Sequence, residues 1–157
     1  MAPSSPTARL IQTWQRLNTK PGGRWLFGRL LGFMVPYTGT IKPRVIVLEP
    51  GHAVVEMSDR RGIRNHLNSI HALALANLGE LTTGLSTMAA VPPSIRSIPT
   101  NLSIDFVKKG RGRLRAECHS EIPEVMDTLD HDVTAVITDA AGDVVARTTV
   151  RWRLSPR

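Results

Sequence analysis

The spacing of apolar residues predicts two helices at the start of the chain. Residues 8–18 place four apolar side chains at helical spacing: Leu10, Ile11, Trp14 and Leu17. The PGG sequence at 21–23 ends that segment, and the apolar run RWLFGRLLGFM at 24–34 predicts a second helix. This helix must end before Pro36, and Pro36 together with Gly39 indicates a loop.

The rest of the chain predicts six strands and one long helix. Two strand-like runs, RVIVLE (44–49) and HAVVEMSD (52–59), flank the turn dipeptide Pro50-Gly51, and an apolar helix follows from about Ser69 to Met88. Four further runs have the composition of strands: 101–109, 112–122, 131–139 and 142–154. Six strands without alternating helices indicate an α+β protein, in which a single helix covers the apolar face of an antiparallel sheet. The chain has no GxGxxG or Walker sequence, which argues against a nucleotide-binding βαβ fold.

Length and composition indicate one folded domain. The chain has 157 residues, of which 41% are hydrophobic and 21% are charged, and these values are typical of globular domains. Cys118 is the only cysteine, which excludes an intramolecular disulfide and a Cys-based zinc cluster and fits a reducing, cytoplasmic location. No apolar run approaches the ~20 residues that a membrane-spanning helix needs.

The net charge of +7 is concentrated near the N-terminus. No Asp or Glu precedes Glu49, whereas that segment contains seven of the 20 Lys and Arg residues. An acid-free start that contains Arg and Ser is compatible with an organelle transit peptide, but it continues directly into a predicted helix. A basic segment also suits a nucleic-acid-binding module, although aromatic residues make up only 4% of the chain and give base stacking little support.

The predicted long helix carries a single acid, Glu80, in an otherwise apolar stretch. On a helical projection Glu80 shares a face with small residues that include Asn77, Thr83 and Gly84. The other face is more apolar and contains Leu78, Leu81, Leu85 and Met88. Gly79 and Gly84 each cost roughly 1 kcal/mol relative to Ala in a helix, which suggests that space is needed beside Glu80. The alternative is that Glu80 is solvated or paired with an Arg from another element.

The residues around this helix resemble a known motif. Asn65, five further residues, His71 and an acid nine residues later resemble the central motif of hotdog-fold acyl-CoA thioesterases of the phenylacetate-pathway type. The predicted order of strands and helix from 44 to 154 also resembles the hotdog core, and the PYTGT sequence and N-terminal helices resemble one branch of those proteins. The chain departs from the motif at Ala72-Leu73, where that family usually has two glycines after the His.

The resemblance implies a hotdog domain at 44–157 preceded by a helical extension at 1–43. Nine residues correspond to about two and a half helical turns, so His71 and Glu80 point to opposite sides, roughly 13 Å apart along the axis. They cannot serve one site within one subunit, but the two side chains can meet across a twofold dimer. The resemblance implies such a homodimer, or a homotetramer, in which Asn65, His71 and the Ala72 amide face Glu80 of the other copy.

The chemistry expected of this site is hydrolysis of an acyl-CoA thioester. Free N–H groups at the start of a helix stabilise a developing oxyanion. A carboxylate in an apolar groove is a stronger base than usual, so Glu80 suits either a general base or a nucleophile. The CoA belongs to the substrate, and no metal or other cofactor is expected.

The basic segment KKGRGRLR at 108–115 is the second candidate for function. In the resembling hotdog proteins this turn lies where the nucleotide part of CoA docks, and Lys and Arg suit its phosphates. Strand alternation would place Arg111, Arg113 and Arg115 on one face, and a solvated hairpin is the alternative. Three arginines before the helix would extend an anion-binding rim: Arg60, Arg61 and Arg64. The predicted substrate-binding residues are Asn68, Thr83, Gly84, Thr100, Lys108, Lys109, Arg111 and Arg113.

Three other functions are open to a chain of this kind. A hotdog hydratase would need an Asp followed five places later by a His, and no Asp here has that spacing. A non-catalytic acyl-CoA-binding protein fits the replacement of the two glycines, whereas Glu80 favours an enzyme. A nucleic-acid-binding module would depend on the basic N-terminal segment.

The acyl group is not specified, because the apolar Trp25–Val35 segment is compatible both with a tunnel wall and with core packing.

Overall fold

The computed structural model describes residues 6–157. Three helices come first: α1 (Pro6–Leu17), α2 (Gly23–Met34) and the single turn α3 (Pro36–Gly39). Strands β1 (Arg44–Glu49) and β2 (His52–Met57), a 3-10 turn (Arg61–Ile63) and the long helix α4 (Ala72–Ala90) follow. The chain ends with β3 (Ile95–Phe106), β4 (Leu114–His119), β5 (Leu129–Thr138) and β6 (Val144–Pro156).

The six strands form one antiparallel sheet in the order β1-β2-β4-β5-β6-β3. The strands β1 and β3 are therefore the two edges of the sheet. The β3–β6 ladder shifts register between Pro99 and Asn101, because Pro99 has no N–H to give to the ladder. This architecture confirms the predicted α+β class, with one long helix covering an antiparallel sheet.

Helix α4 lies very close to the sheet. A Cβ added to Gly79 would collide with the Thr148 side chain of β6, and a Cβ at Gly84 would lie 3.1 Å from the Trp152 ring. The two glycines thus let the helix backbone approach β6. The prediction that the two glycines leave space beside Glu80 is therefore wrong, because side chains of β6 lie against both of them.

The N-terminal helices share the hydrophobic core of the sheet and α4. Trp14 of α1 packs edge-on against Phe27 of α2, with the ring centroids 5.1 Å apart. Both belong to the same buried cluster as Leu81 and Leu85 of α4. The apolar stripes that predicted α1 and α2 are therefore the stripes that attach these helices to the rest of the fold.

Several predicted boundaries are wrong by a few residues. Helix α4 begins at Ala72 rather than Ser69, because His71 and not an earlier polar residue caps it. The loop predicted at Pro36 is one turn of helix, and β3 begins at Ile95, six residues before the predicted start. Strand β4 begins only at Leu114, so Arg111 and Arg113 precede it and do not share a strand face with Arg115. Among the residues described, no helix is long and apolar enough to cross a membrane.

Candidate active site

Glu80 lines an apolar cavity between α4 and the N-terminal helices. The cavity has a volume of about 230 Å³, and its other walls are almost entirely apolar. They comprise Thr7, Leu10, Leu31, Met34, Val35, Thr38, Leu81, Gly84, Leu85 and Met88. The loss of solvent on burial raises the pKa of Glu80. Within residues 6–157 no cation forms an ion pair with it, so the alternative of an Arg-paired Glu80 has no support.

The position of Leu81, Leu85 and Met88 corrects the predicted helix faces. These residues line the cavity together with Glu80, although the projection placed them on a separate, more apolar face. Thr83 lies outside the cavity and is fully buried against β6, where its hydroxyl donates to the Glu80 carbonyl at 2.9 Å and lies 3.4 Å from the Trp152 indole nitrogen. The face of Glu80 is therefore mostly apolar, and Thr7, Thr38 and Gly84 are its small or polar walls.

The loop before α4 is organised by Asn65. Its Oδ1 accepts hydrogen bonds from the Leu67 and Ser69 amides and from the Ser69 hydroxyl, at 3.0, 3.2 and 3.1 Å. Asn68, at the tip of this loop, has a positive φ of 53°, a conformation that Asn tolerates better than most residues. The Asn65 side-chain NH₂ group has no acceptor in the described part of the chain, and Asn65 lines an open cleft.

His71 satisfies most of the free N–H groups at the start of α4. Its Nδ1 accepts from the Leu73 amide at 3.1 Å, and its carbonyl accepts from the Ala74 and Leu75 amides at 2.9 and 3.2 Å. The Ala72 N–H, the first of the helix, has no acceptor among the residues described. A helix start with one free donor and a favourable dipole is a suitable place for an oxyanion.

This helix start faces a second cleft, of about 260 Å³. Asn65, Ala72, Phe106, Lys108 and Lys109 are among its walls. The cleft has no residue in common with the Glu80 cavity. One copy of the chain therefore holds the carboxylate and the candidate oxyanion donor in separate places, as the nine-residue spacing predicted.

Carboxylates already engage part of the predicted phosphate-binding surface. Lys108 lies between Asp139 and Asp143, with Nζ–O distances of 2.6 and 2.7 Å, and this contact holds the pKa of Asp139 below its usual range. Arg64 pairs with Asp59 at 2.7 Å, a hydrogen bond that lowers the pKa of Asp59. Of the predicted surface, the exposed cations that form no ion pair within 4 Å among the residues described are Arg61, Lys109, Arg111 and Arg113, although Arg111 also contributes to the lowered pKa of Asp59.

The remaining predicted residues occupy supporting positions. Arg111 donates through Nε to the Asn68 carbonyl at 3.2 Å, which connects the basic turn to the loop before α4. Arg60 donates to the Thr40 carbonyl. The exposed Thr100 lies at the irregular point of β3, where its hydroxyl donates to the Arg151 carbonyl at 3.3 Å. The structure thus brings Asn65, Asn68, Ala72 and the basic turn together, and it separates them from Glu80.

Residues far apart in the sequence complete both clefts, and the sequence motif did not identify them. Thr7 and Leu10 of α1 line the Glu80 cavity, and Phe106 with Val107 at the end of β3 lines the second cleft. The apolar composition of Trp25–Val35 was the available signal for a cavity wall, and Leu31, Met34 and Val35 are indeed part of it.

A cluster of metal-ligand residue types lies away from both clefts, on β2 and β4. Glu117 Oε1 is 2.9 Å from His52 Nε2 and 3.1 Å from His119 Nε2. However, the two imidazole rings stack with centroids 3.9 Å apart and an interplanar angle of 16°. The lone pairs of near-parallel rings do not converge on one point, so this is the geometry of a hydrogen-bonded carboxylate–histidine cluster and not of a metal centre.

Comparisons with known proteins place the chain in a family. Residues 23–154 match the model described as Domain of unknown function (DUF4442). The genomics target APC5556 is 28% identical, with a TM-score of 0.82 over 96% of this chain and 100% of that chain. PA5026 from Pseudomonas aeruginosa, described as a probable thioesterase, is 23% identical, with a TM-score of 0.75 over 82% of this chain and 93% of that chain.

The thioesterase SAV0944 from Staphylococcus aureus has the same fold at 15% identity, with a TM-score of 0.68 over 77% of this chain and 99% of that chain. No curated protein matches the chain significantly. The predicted fold is confirmed, whereas the thioesterase superfamily and its phenylacetate-pathway subtype stay predictions. The chain belongs to the DUF4442 family and has the hotdog fold.

Proposed function

We propose that two copies of this chain hydrolyse acyl-CoA thioesters at sites that they share. The observation that carries the proposal is the separation of the two half-sites. Glu80 lies in an apolar cavity and the free Ala72 N–H lies at another cleft, and the two cavities share no residue. A twofold axis beside α4 would bring each carboxylate to the helix start of the other copy.

The surface around the second cleft supports such an assembly. Strand β3 is an edge of the sheet, and its apolar side chains Ile98, Leu102 and Phe106 are 43%, 40% and 53% exposed. An exposed apolar edge strand is a ready template for pairing with another copy. Pairing of β3 with β3 would extend the sheet and cover these side chains.

Each group then has a definite task in hydrolysis. The Ala72 N–H would donate to the thioester carbonyl oxygen, aided by the Asn65 NH₂ group, and would stabilise the oxyanion of the tetrahedral intermediate. Glu80 would take a proton from water as the water attacks the carbonyl carbon. The C–S bond then breaks, the carboxylic acid is formed, and the proton passes to the CoA thiolate. Direct attack by Glu80, followed by hydrolysis of the anhydride, is the alternative role of the same carboxylate.

The apolar walls of the Glu80 cavity suit the acyl chain, and the exposed basic turn suits the nucleotide. Lys109 and Arg113 have no carboxylate partner in the described part of the chain, and Arg111 interacts with Asp59 without a close ion pair, so these charges are available to phosphates. The reaction requires no cofactor besides the CoA of the substrate. A cytoplasmic location is part of the proposal, since the only cysteine, Cys118, is a buried free thiol.

A non-catalytic acyl-CoA-binding protein is the second candidate. The exposed Ala72 and Leu73 side chains, the latter 60% exposed, stand at the helix start where the resembling enzymes have glycines. These side chains would narrow the approach of a carbonyl to the Ala72 N–H. Binding without thiol release would then be the outcome.

Complementation between two variants tests the shared site. Glu80→Gln removes the carboxylate, and Ala72→Pro removes the N–H at the first helical position, where proline is tolerated. His71, the preceding residue, is already extended at φ −65° and ψ 143°, as a residue before proline must be. Each substitution alone should lower the rate of thiol release from acyl-CoA by about 10²–10⁴-fold. Leu73→Ala, which keeps every backbone donor, is the control for Ala72→Pro.

Mixed dimers give the decisive result. In a dimer that combines the two variants, one site carries both substitutions and the other carries neither. A 1:1 mixture that exchanges freely should therefore recover about a quarter of the parent rate, because half of the dimers are mixed. If tagged mixed dimers form and recover nothing, the site is not shared. If Glu80→Gln and Ala72→Pro both bind acyl-CoA and the parent releases no thiol, the chain is a binding protein.

A further inference from the structure

The outer face of α2 is an unexplained feature of this molecule. Seven large apolar residues between 25 and 37 are at least 39% exposed: Trp25, Leu26, Leu30, Phe33, Met34, Val35 and Tyr37. They are half of the fourteen such residues in the described part of the chain, whereas most of the others surround β3 and the start of α4. The proposed dimer accounts for that second group, and Met34 and Val35 line the Glu80 cavity, but neither explains the exposure of the other five.

This face has a regular arrangement. Trp25, Arg29 and Phe33 are spaced four residues apart and form one stripe along α2, and Leu26 and Leu30 form the next stripe. Phe33 is 86% exposed and Trp25 is 64% exposed. The opposite side of the helix, with Phe27 and Leu31, is buried in the core. The apolar outer face is therefore not a substitute for core packing.

A wide groove runs beside these rings and is lined by cations. It has a volume of about 660 Å³, and Arg29, Lys42 and Arg44 line it together with Trp25 and Phe33. At its floor, two backbone segments are in close contact. A Cβ at Gly28 would collide with the Pro43 carbonyl, and one at Gly32 would lie 2.8 Å from the Gly39 Cα. Although Glu56 lies opposite Arg44 in the β1–β2 ladder, no carboxylate in the part of the chain described lies within 4 Å of these three cations.

We infer that this face of α2 docks on the surface of an anionic lipid bilayer. Trp and Phe rings enter the boundary between headgroups and acyl chains, while Lys and Arg remain among the phosphates. With twelve residues, α2 is too short to cross a bilayer, which needs about 20, and so lies in the plane of the interface. The inference goes beyond the proposed hydrolysis and needs no turnover.

Charge complementarity selects lipid over the other occupants. A second copy docked through the same face would bring acid-free, basic segments together, and like charges would oppose the contact. Nucleic acid would satisfy the cations and stack on Trp25 and Phe33, but it would leave the aliphatic Leu26 and Leu30 side chains in water. An anionic bilayer provides phosphates for the cations and an apolar layer for the side chains between them.

Trp25 provides a built-in reporter for the test. The other two tryptophans, Trp14 and Trp152, are each 4% exposed, so a change in emission on binding arises from Trp25. The full chain is mixed with vesicles of phosphatidylcholine containing phosphatidylglycerol, or with vesicles of phosphatidylcholine alone. We expect co-sedimentation with the anionic vesicles, a blue shift of emission, quenching by brominated lipid, and weaker binding as NaCl is raised.

Two pairs of variants distinguish binding through this face from binding through any exposed cation or apolar side chain. Arg29→Gln/Lys42→Gln/Arg44→Gln should weaken vesicle binding by about 10²-fold, since each cation near an anionic surface contributes a factor of about five. The control removes three exposed cations elsewhere: Arg96→Gln/Arg147→Gln/Arg157→Gln. Phe33→Ser should reduce both binding and the quenching of Trp25, whereas Met126→Ser, at a residue 75% exposed in the β4–β5 connection, should change neither.

Several results would overturn the inference. It fails if the anionic vesicles do not bind the parent, or if Trp25 emission is unchanged in sedimented protein. It also fails if the two triple variants lose binding equally. A lower solution mass for Phe33→Ser would identify the face as a contact between copies, and tight binding of a duplex that the first triple variant abolishes would identify nucleic acid. Thermal unfolding of each variant confirms that the fold is intact.

Discussion

The side-chain amide of Asn77 donates a hydrogen bond of 3.1 Å to the carbonyl oxygen of Tyr37. Asn77 is 7% exposed and lies three residues before Glu80, so this bond connects the N-terminal helices to the helix that carries the carboxylate. The Tyr37 carbonyl also accepts from the Thr40 amide and hydroxyl, at 3.0 and 2.6 Å, so the Asn77 amide adds a third hydrogen bond and joins α4 to the turn of α3.

Asn77→Leu should destabilise the fold by about 0.5–1.5 kcal/mol, because it removes the hydrogen bond between α4 and α3 while Thr40 still satisfies the Tyr37 carbonyl. It should also lower the hydrolysis rate, because α2 and α3 line the Glu80 cavity and this hydrogen bond holds them against α4. Urea unfolding and thiol release measure the two effects. Gln15→Leu, at an exposed amide on α1, should change neither.

Glu80→Gln should change the pH dependence of stability in a definite direction. Burial raises the pKa of Glu80, so the folded protein holds this proton more tightly than the unfolded chain does. The stability that this group contributes is full in acid and is lost as pH rises from the unfolded pKa through the folded pKa. The melting temperature of the variant should therefore be higher than that of the parent at about pH 8 and equal to it at about pH 3. Glu124→Gln, at an exposed carboxylate, should follow the parent throughout.

The rate of thiol release by the parent protein should depend on pH in the opposite direction to its stability. A general base or nucleophile acts only when it is ionised, so thiol release should fall as pH falls through the raised pKa of Glu80. This limb should be absent from any residual activity of Glu80→Gln. A pH–rate profile with the same limb in both proteins would assign it to another group.

Replacing Lys109, Arg111 and Arg113 with Gln should raise KM for acyl-CoA more than it lowers kcat. Phosphate contacts far from the carbonyl stabilise the ground and transition states alike. Lys108→Gln should have a smaller effect, because Asp139 and Asp143 already engage this ammonium. Acyl-pantetheine substrates, which lack the nucleotide, are the control. If their KM rises as much as that of acyl-CoA, these cations do not bind the phosphates.

Gly79→Ala should destabilise the protein although it improves helix propensity. Propensity alone would stabilise α4 by roughly 1 kcal/mol, but the added Cβ meets the Thr148 side chain of β6. The net effect should be a loss of about 1–3 kcal/mol, as for other overpacked sites. Chemical denaturation measures it, and a gain in stability would mean that α4 can move away from β6 without cost.

Sequence periodicity was sufficient for the fold because each element has one face to bury. The stripe of Leu10 and Trp14 predicted α1, and Pro50-Gly51 separated β1 from β2 as expected. The start of α4 was placed three residues early because Ser69 is also a good capping residue, and the sequence does not reveal that Asn65 already accepts from its amide and hydroxyl.

The candidate site was only partly predictable, for a similar physical reason. The spacing of His71 and Glu80 follows from helix geometry and correctly separated the two groups. The residues that line each cavity cannot be derived from helix geometry, since Leu31 meets Glu80 only through the packing of α2 on α4. Likewise, nothing local in KKGRGRLR indicates that Lys108 pairs with carboxylates more than 30 residues later in the chain.

The edge-on contact of Trp14 with Phe27 has a consequence for how the protein unfolds. Trp14 lies in the N-terminal helices and Trp152 in β6, and each is buried. Because α1 and α2 complete the core cluster that contains Leu85, they form one cooperative unit with the sheet. Amides of α1 should exchange with deuterium on the same timescale as those of β6, and a chain shortened to residues 44–157 would expose a core that has lost one wall.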